Sequence, residues 1–512
     1  MVWRECLTEA KIPDKVVLFD TTLRDGEQTP GVALTPEDKL KIARQLDSLG
    51  VPVLEAGFPA TSQGEEEAIK LIVREGLNAE IAALSRCVKQ DIEKAVSTGA
   101  GRIHLFIATS DIHLKKKLQI SRDEAIRRAV ESIDLAKSYG VKIEFSAEDA
   151  TRTGIDFLVE FYMAVEEAGA SIVDIPDTVG VATPLAMREI VKKVCEALRI
   201  PVAVHCHNDM GLAVANTLAG IEGGAAEAHV TVNGLGERAG NASLEEVAVS
   251  LKVLYGVETG LKFKEIYNTC RLVSLITGIA IPVNKPIVGE NAFSHESGIH
   301  THGIIASPET YEPINPEFVG ARRRLVAGKH AGVHGISAQL EEMGYRLSEE
   351  ELKQILKIVK DIGDKGKKIT DAELASIAES IIGYGVGENN RIELEELLVV
   401  TGLNTTPTAA IKVRWGEQAW RGAEFGVGPI DASMKAVSRV LGDLVKIRLE
   451  SFRLEAITGG TDALAEVTVR VSDEDGRSVT AKGFSEDIVL AGVYAILNGA
   501  NRLLQIRKRA GR

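Results

Sequence analysis

The segment KIEFSAEDATRTGIDFLVEFYMAVEEAGASIVDIPD (142–177) contains the repeating unit that decides the fold. Its two ends, 142–149 and 171–177, are short runs rich in strand-forming residues. The residues between them have the apolar spacing of an amphipathic helix that ends at Gly169. Glycine is preferred just past a helix end because it tolerates a left-handed backbone. The segment therefore predicts a strand, a helix and a second strand.

Strand patterns of this kind, each followed by a helical pattern, fill the first 255 residues. They are VVLFD (16–20), VLEAG (53–57), EIAALS (80–85), RIHLFIATS (102–110), KIEFSAED (142–149), SIVDIPD (171–177), PVAVHCHN (201–208) and EAHVTVNG (227–234). Eight such units in about 240 residues are typical of a TIM barrel. A doubly wound sheet is the alternative, but it usually has a GxGxxG turn after its first strand. Here that turn reads TTLRDGEQTPG (21–31), so the sequence favours the α/β barrel.

The chain changes character twice after the predicted barrel. Residues 257–335 contain one helical pattern and then a stretch with Pro, Gly and His, which we expect to form a linker of ordered loops. Helical patterns follow at SEEELKQILKIVKDIGDKG (348–366) and TDAELASIAESIIG (370–383). From near residue 392 strands alternate with helices, which predicts an α+β module. The expected domains are a catalytic barrel (1–275), a linker with small helical subdomains (276–391) and a C-terminal domain (392–512).

The composition is that of a globular protein. The 512 residues are 45% hydrophobic and 26% charged, and the net charge is −13. This acidic balance argues against a nucleic-acid partner, because phosphate binding needs a basic surface. No stretch approaches 18 uninterrupted apolar residues and the N-terminus lacks the apolar run of a signal peptide, so we expect no membrane partner. The five scattered cysteines favour a reducing compartment, and we expect a cytoplasmic location.

Two histidines on the seventh predicted strand are the sharpest chemical signal. His205 and His207 are two residues apart, so their side chains point to the same face of the strand. Active sites of TIM barrels lie at the carboxyl ends of the strands, where Asp25 could add a carboxylate and Asn241 an amide oxygen. This donor set suits a catalytic divalent ion with open positions for substrate. The alternative is that the histidines are merely packed or hydrogen-bonded in the barrel.

Two charged residues at other strand ends are candidates for catalysis. Glu148 follows the fifth strand and could act as an acid or base, although it could instead be an exposed residue that caps the next helix. Arg24 could bind a substrate carboxylate or stabilise an oxyanion. Its alternative role is a salt bridge to Asp25 or Glu27.

Two further motifs contain glycine and histidine. NGLGERAGN (233–241) follows the eighth strand, where many barrels bind phosphate, and its Gly234 and Gly236 could approach a substrate or simply permit a tight turn. HESGIHTHG (295–303) contains three histidines without carboxylates or cysteines at a familiar metal spacing. We therefore expect catalytic use of one of these histidines and structural use of the others.

The ordered set of motifs resembles one enzyme family over almost the whole chain. The motifs are FDTTLRDGEQTPG, EAGFP, FIATSDIH, FSAEDATRT, PDTVGVATP, HCHND and NGLGERAGN. They occur in this order in the 2-isopropylmalate, homocitrate and citramalate synthases. The resemblance implies a metal-dependent TIM barrel that condenses acetyl-CoA with a 2-oxo acid. It also implies a linker and a C-terminal regulatory domain that binds the end-product amino acid.

The resemblance also implies a role for each candidate residue. By this resemblance, the metal ligands are Asp25, His205 and His207, with Asn241 as a further ligand or close neighbour. The catalytic residues are Arg24, Glu148, His300 and Tyr311. The substrate pocket contains His104, Ser146 and Thr178. His300 and Tyr311 match residues that reach the active site of the neighbouring subunit. The family's effector-binding region is resembled by GVGPIDA (426–432), with Gly426, Gly428 and Pro429, together with TGGTDALAEV (458–467) and GFSEDIVLA (483–491). We expect glycine-rich loops there at 426–428, 459–460 and 483. One departure from the family pattern is His300-Thr301-His302, where many relatives have His-Gln-Asp. The resemblance therefore assigns no role to Thr301 and His302.

The substrate is chosen among three related activities. The motifs EAGFP and FIATSDIHLK look more like those of 2-isopropylmalate synthases, which favours 2-oxoisovalerate as the substrate, with pyruvate as the alternative. The presence of a C-terminal domain argues against a homocitrate synthase. The expected cofactor is Mg²⁺, Mn²⁺ or Zn²⁺, with acetyl-CoA as co-substrate, an amino-acid effector and a homodimer. A biotin-linked carboxyltransferase would show a Met-Lys-Met carrier motif, which is absent. The complete set of candidate residues argues against a catalytically dead amino-acid sensor. The base that removes the proton from the acetyl group is either Glu148 or His300.

Overall fold

A computed structural model describes residues 12–345, 347–364, 369–381, 392–442, 444–456, 465–485 and 487–510. The chain divides into two compact units. The first contains residues 1–294 and 307–324, and the second contains residues 295–306 and 325–512. No helix among the described residues is long and apolar enough to span a membrane.

The first unit is built on a closed barrel of eight parallel strands in sequence order, which confirms the predicted fold class. The strands are β1 (Val17–Asp20), β2 (Val53–Glu55), β3 (Glu80–Arg86), β4 (Arg102–Ala108), β5 (Lys142–Glu148), β6 (Ile172–Asp177), β7 (Val202–Cys206) and β8 (Glu227–Val230). The barrel closes where Asp20 of β1 pairs with Val230 of β8. Most strand residues are buried on both faces, because side chains fill the barrel interior and helices cover its outside.

A helix follows each strand of the barrel. These helices are α1 (Pro36–Leu49), α2 (Gln63–Glu75), α3 (Lys89–Ser97), α4 (Arg122–Lys137), α5 (Ile155–Ala168), α6 (Pro184–Ala197), α7 (Ala213–Glu222) and α8 (Leu244–Ser250). Their limits follow local chemistry: the Ser62 hydroxyl accepts a hydrogen bond from the Glu65 amide at the start of α2, and Gly169 ends α5 with φ of +113°. The loops between strands and helices carry the candidate site.

The segment after the barrel is more regular than the expected linker of loops. It contains α9 (Ile266–Thr277), the short strands β9 (Ser294–His295) and β10 (Arg324–Leu325), α10 (Gly298–Ala306), α11 (Val333–Glu342), α12 (Glu349–Asp364) and α13 (Asp371–Ile381). The expectation of loops at 295–303 was therefore wrong, because His300 and His302 lie on α10. The high glycine and histidine content of this segment concealed the helix, since neither residue favours helices strongly.

The C-terminal part contains two copies of the same arrangement, a three-stranded antiparallel sheet followed by a helix. The first copy comprises β11 (Ile392–Val400), β12 (Thr408–Trp415), β13 (Gln418–Phe425) and α14 (Pro429–Leu441), and the second comprises β14 (Arg448–Ala456), β15 (Ala465–Ser472), β16 (Ser478–Ser485) and α15 (Ile488–Ala510). Both copies share one hydrophobic core that includes Val413, Val437, Val469 and Ala495. This arrangement is the α+β module that the sequence predicts.

Gly483 differs from its expected place in a glycine-rich loop. It lies within β16, and a Cβ atom there would approach the Ala491 carbonyl oxygen to 2.1 Å and the Ala495 amide nitrogen to 2.4 Å. The residue is glycine because the strand packs against the backbone of α15, so this expectation was wrong. Residues 458–464 of TGGTDALAEV lie outside the described residues.

Candidate active site at the carboxyl end of the barrel

Asp25, His205 and His207 come together at the carboxyl ends of the barrel strands. The Nε2 atoms of the two histidines are 3.3 Å apart, and Asp25 Oδ2 lies 3.8 Å from His205 Nε2 and 3.9 Å from His207 Nε2. All three residues are buried. The strand pairing explains this meeting, because β8 lies between β1 and β7. The three side chains thus offer one carboxylate oxygen and two ring nitrogens to a common point.

Asn241 lies beside Asp25 and has an oxygen without a partner. Its Nδ2 donates hydrogen bonds to Asp25 Oδ1 at 2.8 Å and to the Leu235 carbonyl at 3.1 Å. Its Oδ1 is buried and has no hydrogen-bond partner within the described part of the chain. A buried oxygen in that state costs free energy unless a ligand satisfies it. The donor set of two imidazoles, a carboxylate and this amide oxygen therefore fits a divalent metal ion.

The electrostatics of this group favour cation binding. Burial, followed by the proximity of His207, lowers the pKa of His205 well below its ordinary value. Burial also lowers the pKa of His207, so both rings stay neutral and keep lone pairs for a metal. Burial alone would raise the pKa of the Asp25 carboxyl, but the guanidinium of Arg24, the proximity of the two histidine rings and the hydrogen bond from Asn241 lower it to about 2.

Arg24 joins the group through two ion pairs. Its Nη1 lies 2.6 Å from Asp25 Oδ2, and its Nε lies 2.6 Å from Glu55 Oε2. The salt bridge to Asp25 was one of the two alternatives for Arg24, and the structure adds Glu55 as an unexpected second partner. Burial opposes the charge of Arg24, but the neighbouring Glu55 and Asp25 carboxylates outweigh it and raise its pKa. Arg24 therefore remains a cation at the wall of the cavity.

His104 and Ser146 form a hydrogen-bonded chain with two acidic residues. His104 Nδ1 lies 2.7 Å from Glu55 Oε1, and His104 Nε2 lies 2.6 Å from the Ser146 hydroxyl. Ser146 also donates to Asp174 Oδ2 at 2.6 Å. Both ring nitrogens of His104 are thus engaged with protein, although the residue lines the cavity. Sequence reasoning missed Glu55 and Asp174, and the available signal was an acidic residue within an otherwise apolar strand.

A cavity of about 330 Å³ opens beside the metal-ligand group. Its polar lining includes Arg24, Asp25, His104, Ser146, Glu148, Asp174, Thr178, His205 and His207, and its apolar lining includes Phe58, Leu84, Phe106 and Pro176. A cavity lined by both charged and apolar side chains suits a small carboxylic acid with an aliphatic side chain. Of the predicted pocket residues, His104, Ser146 and Thr178 line it.

Glu148 lies at the rim of this cavity and pairs with a lysine. Its Oε1 is 2.5 Å from Lys117 Nζ, and Lys117 also lines the cavity. Lys117 belongs to a single π-helical turn, Leu114–Leu118, between β4 and α4. Such turns are rare and occur often at functional sites. Glu148 thus lines the cavity, and its side chain does not cap the next helix, whose N-cap residue is Gly154.

Gly234 and Gly236 lie next to the ligand group but make no open cradle for phosphate. A Cβ atom at Gly236 would approach Asn241 Nδ2 to 2.1 Å and Asp25 Oδ1 to 2.8 Å, and one at Gly234 would approach the Ser243 hydroxyl to 2.7 Å. The Gly236 amide already donates to the Thr29 hydroxyl. These glycines allow the loop to pack against Asp25 and Asn241, and their contact with substrate stays a prediction.

A second group of possible metal ligands, Glu144, Glu227 and His229, lies deeper in the barrel. Arg102 Nη1 lies 3.1 Å from Glu144 and 2.8 Å from Glu227, and His229 Nε2 lies 2.7 Å from Glu144. The neighbouring acids outweigh the effect of burial and raise the pKa of His229 to about 9. A guanidinium and an imidazolium thus already balance these carboxylates, so this group is a buried ion network.

The remaining predicted site residues belong to segments of the chain that follow the barrel strands. His300 is on α10 in the second unit, and Tyr311 is 43% exposed in the first unit. Gly428 precedes α14, with Gly426 before it and Pro429 at the first helical position. A Cβ atom at Gly428 would meet nothing within 4 Å. The structure therefore leaves the functions of these residues as predictions.

Comparisons with known proteins place this site in a family. Residues 15–273 match the family described as HMGL-like, residues 287–367 match a homocitrate synthase post-HMGL domain-like family, and residues 368–504 match the LeuA allosteric (dimerisation) domain. The chain is 54% identical to a probable 2-isopropylmalate synthase of Methanopyrus kandleri over 97% of this chain and 100% of that protein. It is 50% identical to the 2-isopropylmalate synthase of Methanocaldococcus jannaschii, covering 99% and 98% of the two chains. The (R)-citramalate synthase of the same organism is 48% identical, covering 96% and 99%.

The chain belongs to the 2-isopropylmalate synthase family. The family consists of acetyl-CoA-dependent condensing synthases, so the chain is an acyltransferase-type enzyme. Its relatives include both 2-isopropylmalate and citramalate synthases, and they therefore leave the 2-oxo acid open. In this chain the HMGL-like region, residues 15–273, contains the barrel strands and the residues that line the cavity.

Proposed function

We propose that the enzyme condenses acetyl-CoA with 2-oxoisovalerate to give 2-isopropylmalate and CoA, with a divalent metal ion bound by Asp25, His205 and His207. The observation that carries this proposal is the convergence of these ligands on a cavity with apolar walls. Leu84, Phe106 and Pro176 offer contacts to a branched aliphatic side chain. Three relatives that are 54%, 50% and 50% identical are named 2-isopropylmalate synthase or probable 2-isopropylmalate synthase.

The chain's own groups account for the steps of the proposed reaction. When bound, the metal supplies Lewis-acid polarisation of the 2-oxo acid. Arg24 presents a guanidinium to the oxygen of the oxo group, where negative charge develops as the new carbon–carbon bond forms. Glu148 or His300 removes the proton from the acetyl methyl group, and the resulting enolate attacks the oxo carbon. The alkoxide takes up a proton, and water hydrolyses the thioester to release CoA.

The second candidate is an (R)-citramalate synthase that uses pyruvate. Relatives of that name are 47% to 48% identical over nearly the whole chain, so sequence identity separates the two by a small margin. Pyruvate would leave the apolar wall near Leu84 and Phe106 uncovered by substrate. Burial of apolar area favours the substrate with the isopropyl group, because each buried methylene contributes about 0.8 kcal/mol.

The proposed chemistry is tested by thiol release from acetyl-CoA with a panel of 2-oxo acids. Chelation should abolish turnover, and Mg²⁺ or Mn²⁺ should restore it. His205→Ala should lower activity by at least about 10²-fold while the barrel stays folded, because the residue is at the rim of the barrel. His334→Ala, which removes an exposed histidine of α11, is the control. Metal-independent turnover, or full activity of His205→Ala, would contradict the proposal.

The regulatory and assembly proposals rest on the family match of the C-terminal region. We propose that the chain forms a homodimer, that the domain from 392 to 512 binds leucine near Gly426, Gly428 and Pro429, and that leucine inhibits the enzyme. The match to the LeuA allosteric (dimerisation) domain supports both the dimer and an effector. The proposed division at 275 and 391 places the catalytic cavity entirely within the first domain.

A further inference from the structure

Glu55 is a carboxylate at the end of β2 that meets three donors. Its Oε2 accepts hydrogen bonds from Arg24 Nε and from the Thr21 hydroxyl, both at 2.6 Å, and its Oε1 accepts from His104 Nδ1 at 2.7 Å. The residue is fully buried, with 0% exposure. Burial alone would raise the pKa of Glu55, but the guanidinium of Arg24, the neighbouring His104 ring and these hydrogen bonds hold it well below its usual range. Glu55 is therefore a fixed anion inside the barrel.

The position of Glu55 determines how Arg24 is presented to the cavity. Arg24 is held at two places, by Glu55 at Nε and by Asp25 at Nη1. Its Nη2 makes no hydrogen bond within the described residues, and Arg24 is part of the cavity wall. A guanidinium has five N–H donors, so with one donor of Nε and one of Nη1 engaged it keeps both donors of Nη2 for a ligand. Glu55 itself does not line the cavity, so its effect on a ligand must pass through its partners.

We propose that Glu55 is a positioning residue that fixes the guanidinium of Arg24 for stabilising the developing oxyanion. This inference rests on the proposed condensation. Preorganised donors are effective because they need not reorient as charge develops. With Asp25 as its only partner, the guanidinium of Arg24 could pivot about the single hydrogen bond from Nη1 to Asp25. The long arginine side chain would then sample several rotamers. The same carboxylate holds His104, so Glu55 connects two walls of the substrate cavity.

Chemical rescue tests this role directly. Arg24→Ala should lower kcat by about 10²–10³-fold, the loss typical of one oxyanion donor. Guanidinium chloride below denaturing concentration should restore kcat at least about tenfold, because Glu55 and Asp25 still form a site for the free cation. In the double variant Arg24→Ala with Glu55→Gln, rescue should fall to less than about twofold, because one anion of that site is missing. Arg24→Ala with Glu144→Gln is the control.

Glu144 makes this control closely matched. Like Glu55 it is fully buried and pairs with one arginine and one histidine, Arg102 and His229, but it has no contact with Arg24. Rescue in this control should equal that of Arg24→Ala alone. Equal rescue in the Glu55→Gln double variant would overturn the proposal.

A double-mutant cycle without added guanidinium gives a second, independent measurement. Glu55→Gln should lower kcat at least about tenfold in the wild-type background and less than about twofold in the Arg24→Ala background, because the Gln amide oxygen can still accept the hydrogen bond from His104 and the interaction with Arg24 is already lost. Additive losses would overturn the proposal. If Glu55→Gln does not fold, Glu55→Asp replaces it, since this change keeps the charge and withdraws it from Arg24. A wild type that releases no thiol with any 2-oxo acid contradicts the proposed function, whereas additivity in an active enzyme contradicts the role of Glu55.

Discussion

At the scale of single residues, burial prepares the proposed metal ligands for binding. His205 and His207 have lowered pKa values because their rings are buried, and Asp25 has a lowered pKa because cationic and hydrogen-bonding neighbours outweigh burial. A metal ion competes with protons for the same lone pairs. The three ligands are therefore deprotonated before the metal arrives, and they remain so below the pH at which an exposed histidine gains its charge.

The lowered pKa values of the two histidines predict that metal affinity depends only weakly on pH. Two histidines with the ordinary pKa of 6.5 would cost about tenfold in affinity between pH 7.5 and 6.0, because both must lose a proton to bind. The lowered pKa values remove that competition, so the Mn²⁺ dissociation constant should change by less than about threefold over this range. Calorimetric titration of the metal-free enzyme with Mn²⁺ measures it. A tenfold weakening at pH 6.0 would show that the imidazoles titrate normally.

The sequence predicted some residues of the site and not others for physical reasons. His205 and His207 could be placed together because alternate residues of a strand share a face, and Asp25 could be added because strand ends meet at one rim. Glu55 could not be assigned, since a single acid in a strand does not show which cation it will meet. Its partners come from the loop after β1 and from β4, and only the closed barrel brings them within hydrogen-bond distance.

At the scale of elements, the loop after β8 shapes the ligand group through Gly236. This glycine has φ of +152°, and Asn241 and Asp25 occupy the space where a side chain would begin. Gly236→Ala should therefore displace Asn241 and Asp25, weaken metal binding and lower activity at least about tenfold, as losses of groups around a metal do. Thiol release at a series of metal concentrations measures both effects.

The control for this loop is Gly256→Ala. Gly256 also has a left-handed backbone, with φ of +73°, but a Cβ atom there would meet nothing within 4 Å. The change should cost about 1–2 kcal/mol of stability, as a left-handed alanine does, and leave the metal dependence unchanged. If the two variants had the same metal dependence, backbone strain and not crowding of Asn241 would explain the loss.

The strands of the barrel were more predictable than those of the C-terminal region. Barrel strands are buried on both faces and appear as apolar runs. By contrast, β13 reads QAWRGAEF, and its residues alternate between exposed and half-buried, so its apolar pattern is weak. β16 contains Gly483 where α15 packs closely, and glycine in a pattern indicates a turn as readily as a strand. Both strands became evident only from their pairing with β12 and β15.

At the scale of the whole molecule, the proposed roles of His300 and Tyr311 predict active sites that are built from residues of two subunits. If they act on the neighbouring subunit, His300→Ala and Asp25→Ala chains are each inactive alone. Heterodimers of the two should regain up to about half of the wild-type activity, because one of their two symmetric sites keeps both groups. Thiol release after verified subunit exchange measures the recovery. Its absence would mean that these residues serve their own chain.

The proposed effector site predicts a variant that uncouples regulation from catalysis. Gly428 precedes α14 with an extended backbone and open space at its Cβ position, so Gly428→Asp should fold normally. It should abolish inhibition by leucine, which requires a coupling of about 1–3 kcal/mol between the two sites, and leave basal activity unchanged. Gly402→Asp, in another loop of the same region, is the control and should be inhibited like the wild type.

Two outcomes of that assay would contradict the regulatory proposal. A Gly428→Asp enzyme with the wild-type response would place the effector elsewhere. A wild-type enzyme that responds to neither leucine nor isoleucine would contradict regulation by an end-product amino acid altogether.

The identity of the 2-oxo acid is the central claim, and one competition experiment tests it. The enzyme is incubated with labelled acetyl-CoA, Mg²⁺ and equal concentrations of 2-oxoisovalerate and pyruvate, and the two products are quantified by mass spectrometry. Their initial ratio equals the ratio of kcat/KM for the two acids. The apolar wall of the cavity predicts mainly 2-isopropylmalate, by at least about tenfold, since one or two methylenes contribute about 1–3 kcal/mol. A predominance of citramalate would show that the enzyme is a citramalate synthase.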